Sequence, residues 1–238
     1  MINNFLIDID GCIIEGKLHD INLPHLTTLF YEIKQLHSSV HLCTGRSAPY
    51  VEAISQLLGI DQWCICENGA YFYHPKTDEV ILHPLVTEAT ISTLTSLKTL
   101  FRQQKYKSIC KMELGKEVCI SLNPINMSIE NLFEIIVKDI DRNLLYINHS
   151  TTAVDITPKW VDKGCGLRIL AKMGGFNLTD VLAIGDSSGD LPFMQLAGVK
   201  ACPANASDTV KSISDYISPY PTTEGVIDII QYYSNIND

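Results

Sequence analysis

No stretch of these 238 residues approaches the roughly 18 unbroken apolar positions that a membrane-spanning helix needs. Positive charge is scarce as well: 18 Lys and Arg face 27 Asp and Glu, a formal net charge of −9. That balance argues against a nucleic-acid or anionic-membrane partner, since both reward basic surfaces. It leaves room for a small anionic substrate, because a bound cation and a few basic groups override the global field locally. The first residues lack a basic segment followed by an apolar one, so no secretory signal is expected. The zinc-type C-x₂-C spacing is missing too, Cys64 and Cys66 being only two apart. Cys12, Cys43, Cys64, Cys66, Cys119 and Cys202 fall in or at the ends of apolar strand-like runs, where a free thiol acts as a small hydrophobe. These features predict a reduced, cytoplasmic protein. There are no repeats and no low-complexity linkers. What remains, at 46% hydrophobic and 19% charged residues, is a globular chain long enough for a core domain with a smaller one inserted.

Strand and helix patterns alternate at both ends of the chain. Phe5, Leu6, Ile7 and Ile9 make a short apolar run suited to a buried parallel strand. Helical spacing follows over Leu23–His37, a strand over Val40–Cys43, a helix over Tyr50–Leu58 closed by Gly59, and a strand over Trp63–Cys66. This order predicts a doubly wound parallel α/β sheet of the Rossmann type with right-handed crossovers. The rhythm changes over 79–153. A strand is expected over Glu79–Val86, a helix over Thr90–Gln104, a hairpin about Leu114-Gly115-Lys116, a helix over Ile129–Ile140, and strands over Leu144–Asn148 and Ala153–Ile156. Hairpins with helices on one side predict an inserted α+β unit. The core is then discontinuous, 1–78 and 154–238. Its second part carries a helix over Lys163–Met173, a strand over Val181–Ile184, short elements over Leu191–Leu196 and Val199–Cys202, and a closing helix over Gly225–Tyr233.

The chemistry gathers at strand ends. The first strand runs into Asp8-Ile9-Asp10-Gly11, and alternation along a strand would let Asp8 and Asp10 converge unless the chain has turned by Gly11. Two close carboxylates at the carboxyl end of a buried strand suit a divalent cation, at the place where open α/β sheets bind ligands. An ordinary strand leaving the core through an acidic turn is the plain alternative. Thr44-Gly45-Arg46 follows the second strand with a hydroxyl, an approachable backbone and a guanidinium, all phosphate-binding materials. For that tripeptide alone, a strand ending in a turn with a Ser47 helix cap is the better explanation. Lys163 stands at a helix start, against the helix dipole. Asp186 and Asp190 lie in Gly185-Asp186-Ser187-Ser188-Gly189-Asp190, which is either a solvated loop or a second acidic strand end facing the same cation.

Taken in order, these four stretches resemble the signature motifs of the haloacid dehalogenase-like phosphatase superfamily, and the insertion resembles the type 2 cap of its Cof-like branch. Glu67-Asn68-Gly69-Ala70 and Asp155-Ile156-Thr157-Pro158 are similar to stretches in that branch as well. The resemblance implies a phosphoric monoester hydrolase acting on a small phosphorylated metabolite, such as a sugar or hydroxy-acid phosphate. Asp8 would be the nucleophile, forming an aspartyl-phosphate, and Asp10 the acid and base. Lys163 and Thr44 would cradle the phosphoryl group, with Gly11, Gly45, Arg46 and Asn68 on the substrate side. Mg²⁺ would be held by Asp8, the Asp10 carbonyl and Asp186, with Asp190 joining or ordering the set. The inserted unit would act as a lid. Two positions depart from the pattern: Cys12 replaces the usual threonine and Gly189 the usual asparagine. A phosphomutase on the same scaffold and a non-catalytic phosphate-binding regulator are the alternatives. Oligomeric state is not encoded in any of these motifs.

Overall fold

A computed structural model describes residues 2–16, 19–149 and 152–237. The chain opens with β1 (Asn4–Ile7), whose four residues are all buried. Helix α1 (Leu23–Gln35) starts where the Asn22 side chain accepts from the His25 amide and Pro24 occupies the first turn. Strand β2 (Ser39–Leu42) leads to α2 (Ala48–Leu58), which Gly59 ends in the left-handed conformation. Three short strands follow, β3 (Cys64–Cys66), β4 (Tyr71–His74) and β5 (Glu79–Leu82). Next come α3 (Glu88–Phe101), α4 (Gln104–Lys107), β6 (Cys110–Met112), β7 (Ile120–Pro124) and α5 (Ile129–Ile136). Strands β8 (Leu145–His149) and β9 (Val154–Pro158) precede α6 (Lys163–Gly174). The chain finishes with β10 (Val181–Ile184), α7 (Leu191–Met194), β11 (Val199–Cys202), α8 (Asp208–Lys211), β12 (Tyr216–Ile217) and α9 (Thr222–Asn237).

Two compact units result: Met1–Ile81 with Asp162–Asp238, and Leu82–Val161. The first is built on a five-stranded parallel sheet ordered β12-β11-β10-β1-β2. Period-2 alternation splits its core. Leu6, Val181 and Ala183 join Leu167 and Leu170 of α6 and Phe193 and Met194 of α7. Phe5, Ile7, Val40 and Leu42 are buried from the opposite face, the side of α1, α2 and α9. The expected third parallel strand is shorter than the pattern suggests. Residue Ile65 makes one parallel bridge to Cys43, and β3 then pairs antiparallel with β4 in a separate three-stranded sheet, β3-β4-β5.

The second unit is an antiparallel sheet ordered β6-β7-β9-β8. Leu132 and Ile136 of α5 are buried against it, and Leu94, Leu97 and Phe101 are the buried stripe of α3. Strand β9 is hydrogen-bonded on both sides here, to β7 and β8, so 154–161 lies with this unit and not with the α/β body, where the boundary at 153/154 would put it. The expected helix over Thr90–Gln104 begins earlier, because Thr87 caps it through the Thr90 amide, and it breaks after Phe101. Among the described residues no helix is long and apolar enough to cross a membrane.

Candidate active site

β1 ends before its acids do. The Asp8 amide still bonds the Ile184 carbonyl, but at Ile9 the chain winds into a turn whose Cys12, Ile13 and Ile14 amides all point at the Ile9 carbonyl. Gly11, at φ +80, lets the turn close, and its amide donates to the Ile14 carbonyl at 2.6 Å. Asp8 and Asp10 therefore do not converge: the turn sends their carboxylates to different partners. The Gly11 amide, expected to face substrate, is engaged inside the turn. Among the described residues the free amides here are those of Ile9 and Asp10.

Asp8 is buried, and its Oδ1 lies 2.9 Å from the Lys163 ammonium. No donor meets that oxygen in hydrogen-bonding geometry, so the contact is an ion pair rather than a directed bond. Lys163 also reaches Asp190 Oδ1 at 2.6 Å, and Asp190 is fully buried. The other oxygen of Asp190 accepts from the Asp186 amide, the Ser187 amide and the Ser187 hydroxyl, at 2.9 to 3.1 Å. One carboxylate thus carries four donors, which explains a buried acid in a loop of small residues. Its place at the end of β10 is secured by Gly185, where a Cβ would come 2.5 Å from Asp190 Cβ.

Carboxylate oxygens of Asp8, Asp186 and Asp190 lie within 4.8 Å of one another. Burial, then the Asp190 charge, raises the Asp8 carboxyl well above its ordinary value, with Lys163 opposing. The same two causes push Asp186 up to about 7. Lys163 is disfavoured as a cation by burial, but Asp190 and Asp8 outweigh that and keep it charged. Three acids against one ammonium leave surplus negative charge in a poorly hydrated place. An all-oxygen donor set with surplus negative charge fits a hard divalent cation such as Mg²⁺. The saturated oxygens of Asp190 suit an orienting role, while Asp8 and Asp186 have free lone pairs. The Asp10 carboxylate is not part of this cluster. Cys12 lies beside it, and burial followed by the Asp186 and Asp8 charges holds its thiol neutral.

Asp10 faces the other way, with its side chain 39% exposed. Arg46 grips it bidentately, Nε to Oδ2 at 2.7 Å and Nη2 to Oδ1 at 2.5 Å, and lies 4.4 Å over the Tyr50 ring. Thr44 is buried, and its Oγ1 accepts from the Arg46 amide at 3.1 Å, leaving the hydroxyl hydrogen to donate elsewhere. The turn after β3 clamps this segment from behind: the Glu67 amide bonds the Arg46 carbonyl and the Asn68 amide bonds the Thr44 carbonyl, both at 3.0 Å. Asn68 adopts the left-handed conformation to do so. A Cβ on Gly45 would come 3.0 Å from Asn68 Oδ1, so a larger residue there would need the Asn68 amide to give by a few tenths of an ångström. Gly189 has no such constraint, since a Cβ there would meet only Ser187 Oγ at 3.6 Å.

Two groups at this end of the sheet carry no motif in the sequence. Asn205, just after β11, donates to the Gly11 carbonyl at 2.9 Å, and the Ser207 amide donates to the Asp186 carbonyl at 2.8 Å. Their only sequence signal is a polar turn, Pro203-Ala204-Asn205-Ala206, after the parallel strand next to β10.

The sequence matches the haloacid dehalogenase-like hydrolase family over residues 5–119 and 116–230. It is 27% identical over 202 residues to a phosphoglycolate phosphatase of Thermoplasma volcanium, covering 82% of this chain and 83% of the relative. With phosphoglycolate phosphatase 1 of Saccharolobus solfataricus it shares 29% identity over 234 residues, 97% of this chain and 95% of the other. Two crystal structures share the fold, each with a TM-score of 0.77. One, from Thermoplasma acidophilum, is 24% identical and covers 98% of this chain and 99% of its own. The second, a haloacid dehalogenase-like hydrolase from Bacteroides thetaiotaomicron, is 16% identical and covers 98% and 100%. On the strength of that family match along nearly its whole length, the chain belongs to the haloacid dehalogenase-like hydrolases and is one of that family's enzymes.

Proposed function

We propose that this enzyme is a Mg²⁺-dependent phosphatase of small phosphate monoesters that works through an aspartyl-phosphate on Asp8. The observation that carries the reading is the buried Asp8–Lys163–Asp190 arrangement beside Asp186. A buried carboxylate with an unbonded oxygen, next to one ammonium and two further acids, is suited to attack phosphorus in line while surrounding groups balance charge. Asp8 and Asp186 would hold the cation together with the Asp10 carbonyl, and Asp190 would keep Lys163 and the loop in place. Bound there, Mg²⁺ supplies charge neutralisation for the transferring phosphoryl oxygens. Lys163, the Thr44 hydroxyl and the Ile9 and Asp10 amides supply the remaining donors. Asp10, outside the cation cluster and exposed, protonates the leaving oxygen and then takes a proton from the attacking water. The Arg46 fork must share or release it during that exchange.

Relatives named phosphoglycolate phosphatase make 2-phosphoglycolate the first compound to assay, within a screen of cellular phosphate monoesters. The net charge of −9 disfavours nucleic-acid phosphates. Asp8→Asn keeps the shape of the site and removes the nucleophile, so turnover of p-nitrophenyl phosphate with Mg²⁺ should drop to background while Tm stays within a few degrees. Retained turnover would assign the attack to another group.

A further inference from the structure

The turn that carries Asp10 is held from outside by two side chains, those of Asn205 and Thr223. Asn205 donates through Nδ2 to the Gly11 carbonyl at 2.9 Å and accepts through Oδ1 from the Thr222 amide at 2.8 Å. These bonds bridge positions 194 and 17 residues away, yet Asn205 itself is exposed. Exposed hydrogen bonds contribute little to stability, so an ordered bridge here has more to do with geometry. Its far anchor is also unusual. Thr222, a β-branched residue, sits at φ +46, a conformation such residues rarely adopt unless their surroundings impose it. The next residue, Thr223, is buried and donates from Oγ1 to the Ile13 carbonyl at 2.6 Å. The first turn of α9 and Asn205 thus grip the Asp10–Ile14 turn at two carbonyls, while among the described residues Asp10's own side chain is held through Arg46.

The geometry points to Asn205 as a positioning residue for Asp10, acting through the Gly11 carbonyl. This rests on the reading of Asp10 as the proton donor. As Asp8 forms its bond to phosphorus, the ester P–O bond breaks, its electron pair goes to the leaving oxygen, and the Asp10 proton transfers there. Misplacing Asp10 harms this step in proportion to how much the leaving oxygen needs the proton. An alkoxide needs it, whereas p-nitrophenolate leaves without it.

The experiment measures kcat/KM on an alkyl phosphate and on p-nitrophenyl phosphate for Asn205→Ala, Asn205→Asp and Asp10→Asn in the full-length protein with Mg²⁺. Asn205→Asp keeps the acceptor for the Thr222 amide, loses the donor to Gly11 and sets a carboxylate oxygen against that carbonyl, so it reports even where the alanine variant folds poorly. Both Asn205 variants should lose about 30-fold or more on the alkyl ester and less than about threefold on the aryl ester, a smaller version of the Asp10→Asn pattern. Equal losses on the two esters, or none, overturn the positioning role. Asp10→Asn losing equally on both would instead overturn the proton-donor reading on which it rests.

Discussion

Gly11 is the residue on which the two acidic strand ends depend. A Cβ at this position would lie 2.2 Å from Asp186 Oδ2, inside any real contact, and φ is +80. Asp186 is therefore seated against bare backbone, and the glycine makes room for the Asp186 carboxylate rather than for substrate. Gly11→Ala should raise the Mg²⁺ concentration for half-maximal activity by about tenfold or more, since second-contact changes around a metal commonly cost that much. The strain itself costs about 1–2 kcal/mol. Gly175→Ala is the control: φ is +67 and nothing lies within 4 Å of its added Cβ, so it carries similar strain with no Asp186 clash. A Mg²⁺ titration that moves equally in both variants would reduce Gly11 to a turn residue. Asp8, Asp186 and Asp190 were legible because acids at strand ends need a reason. Asp10 misled in its direction, because the alternation rule holds only while the strand lasts and β1 stops at Ile7. Asn205 was illegible, since its bond to Gly11 joins residues that only the folded sheet brings together.

At the scale of elements, β1 and β10 lie side by side and deliver their acids into one charge cluster. With Asp186 pushed up to about 7, its proton competes with the cation. The folded metal-free protein binds that proton more tightly than the unfolded chain does. Asp186 therefore contributes stability that is fully present below about pH 4 and lost as pH rises towards 7. Mg²⁺ removes the penalty, so the rise in Tm on adding it should be larger at pH 8 than at pH 5.5. Its Kd should weaken roughly 16-fold between pH 7 and 5.5, the slope approaching one proton per unit only below about pH 6. Calorimetric titration at the two pH values checks both; a Kd independent of pH would mean that Asp186 is not a ligand. The core elements of this layer were readable: β1, β2, α2, α6 and β10 follow their apolar periods closely. Strand β12, at two residues, and α8, with Val210 alone buried, offer too little for a period to register, and β4 was passed over with the Glu67–Ala70 turn signal just before it. Strand β9 was seen among the insertion's strands, and only the boundary drawn at 153/154 parted it from the sheet in which it pairs.

On the scale of the whole chain, two connections decide what the inserted unit can do. The crossing from Val161 to Asp162 lies one residue before Lys163, whose ammonium touches Asp8, and Asp162 is the side chain that caps α6 through the Cys165 amide. The unit from Leu82 to Val161 has its own buried stripe, with Leu94, Leu97, Phe101, Leu132, Ile136, Ile147 and Ile156, so it holds a core of its own. The alternation of patterns along the sequence announced this division, though the boundary drawn at 153/154 falls short of the crossing at Val161 and Asp162. An insertion whose return to the α/β body falls one residue before Lys163 is the segment expected to choose substrates by size. The intact enzyme should then show a kcat/KM at least about tenfold higher on metabolite phosphates than on phosphopeptides. Replacing Leu82–Val161 with a short Gly/Ser linker, leaving Asp162 to cap α6, should narrow that ratio mainly by lowering activity on the small esters. Circular dichroism and a Mg²⁺ titration of the shortened protein would establish that the sheet and acid cluster persist. If the intact enzyme removed phosphate from folded phosphoproteins as fast as from metabolites, the insertion would have no part in choosing substrates by size, and selectivity would have to reside in Arg46, Asn68 and the loops of the α/β body.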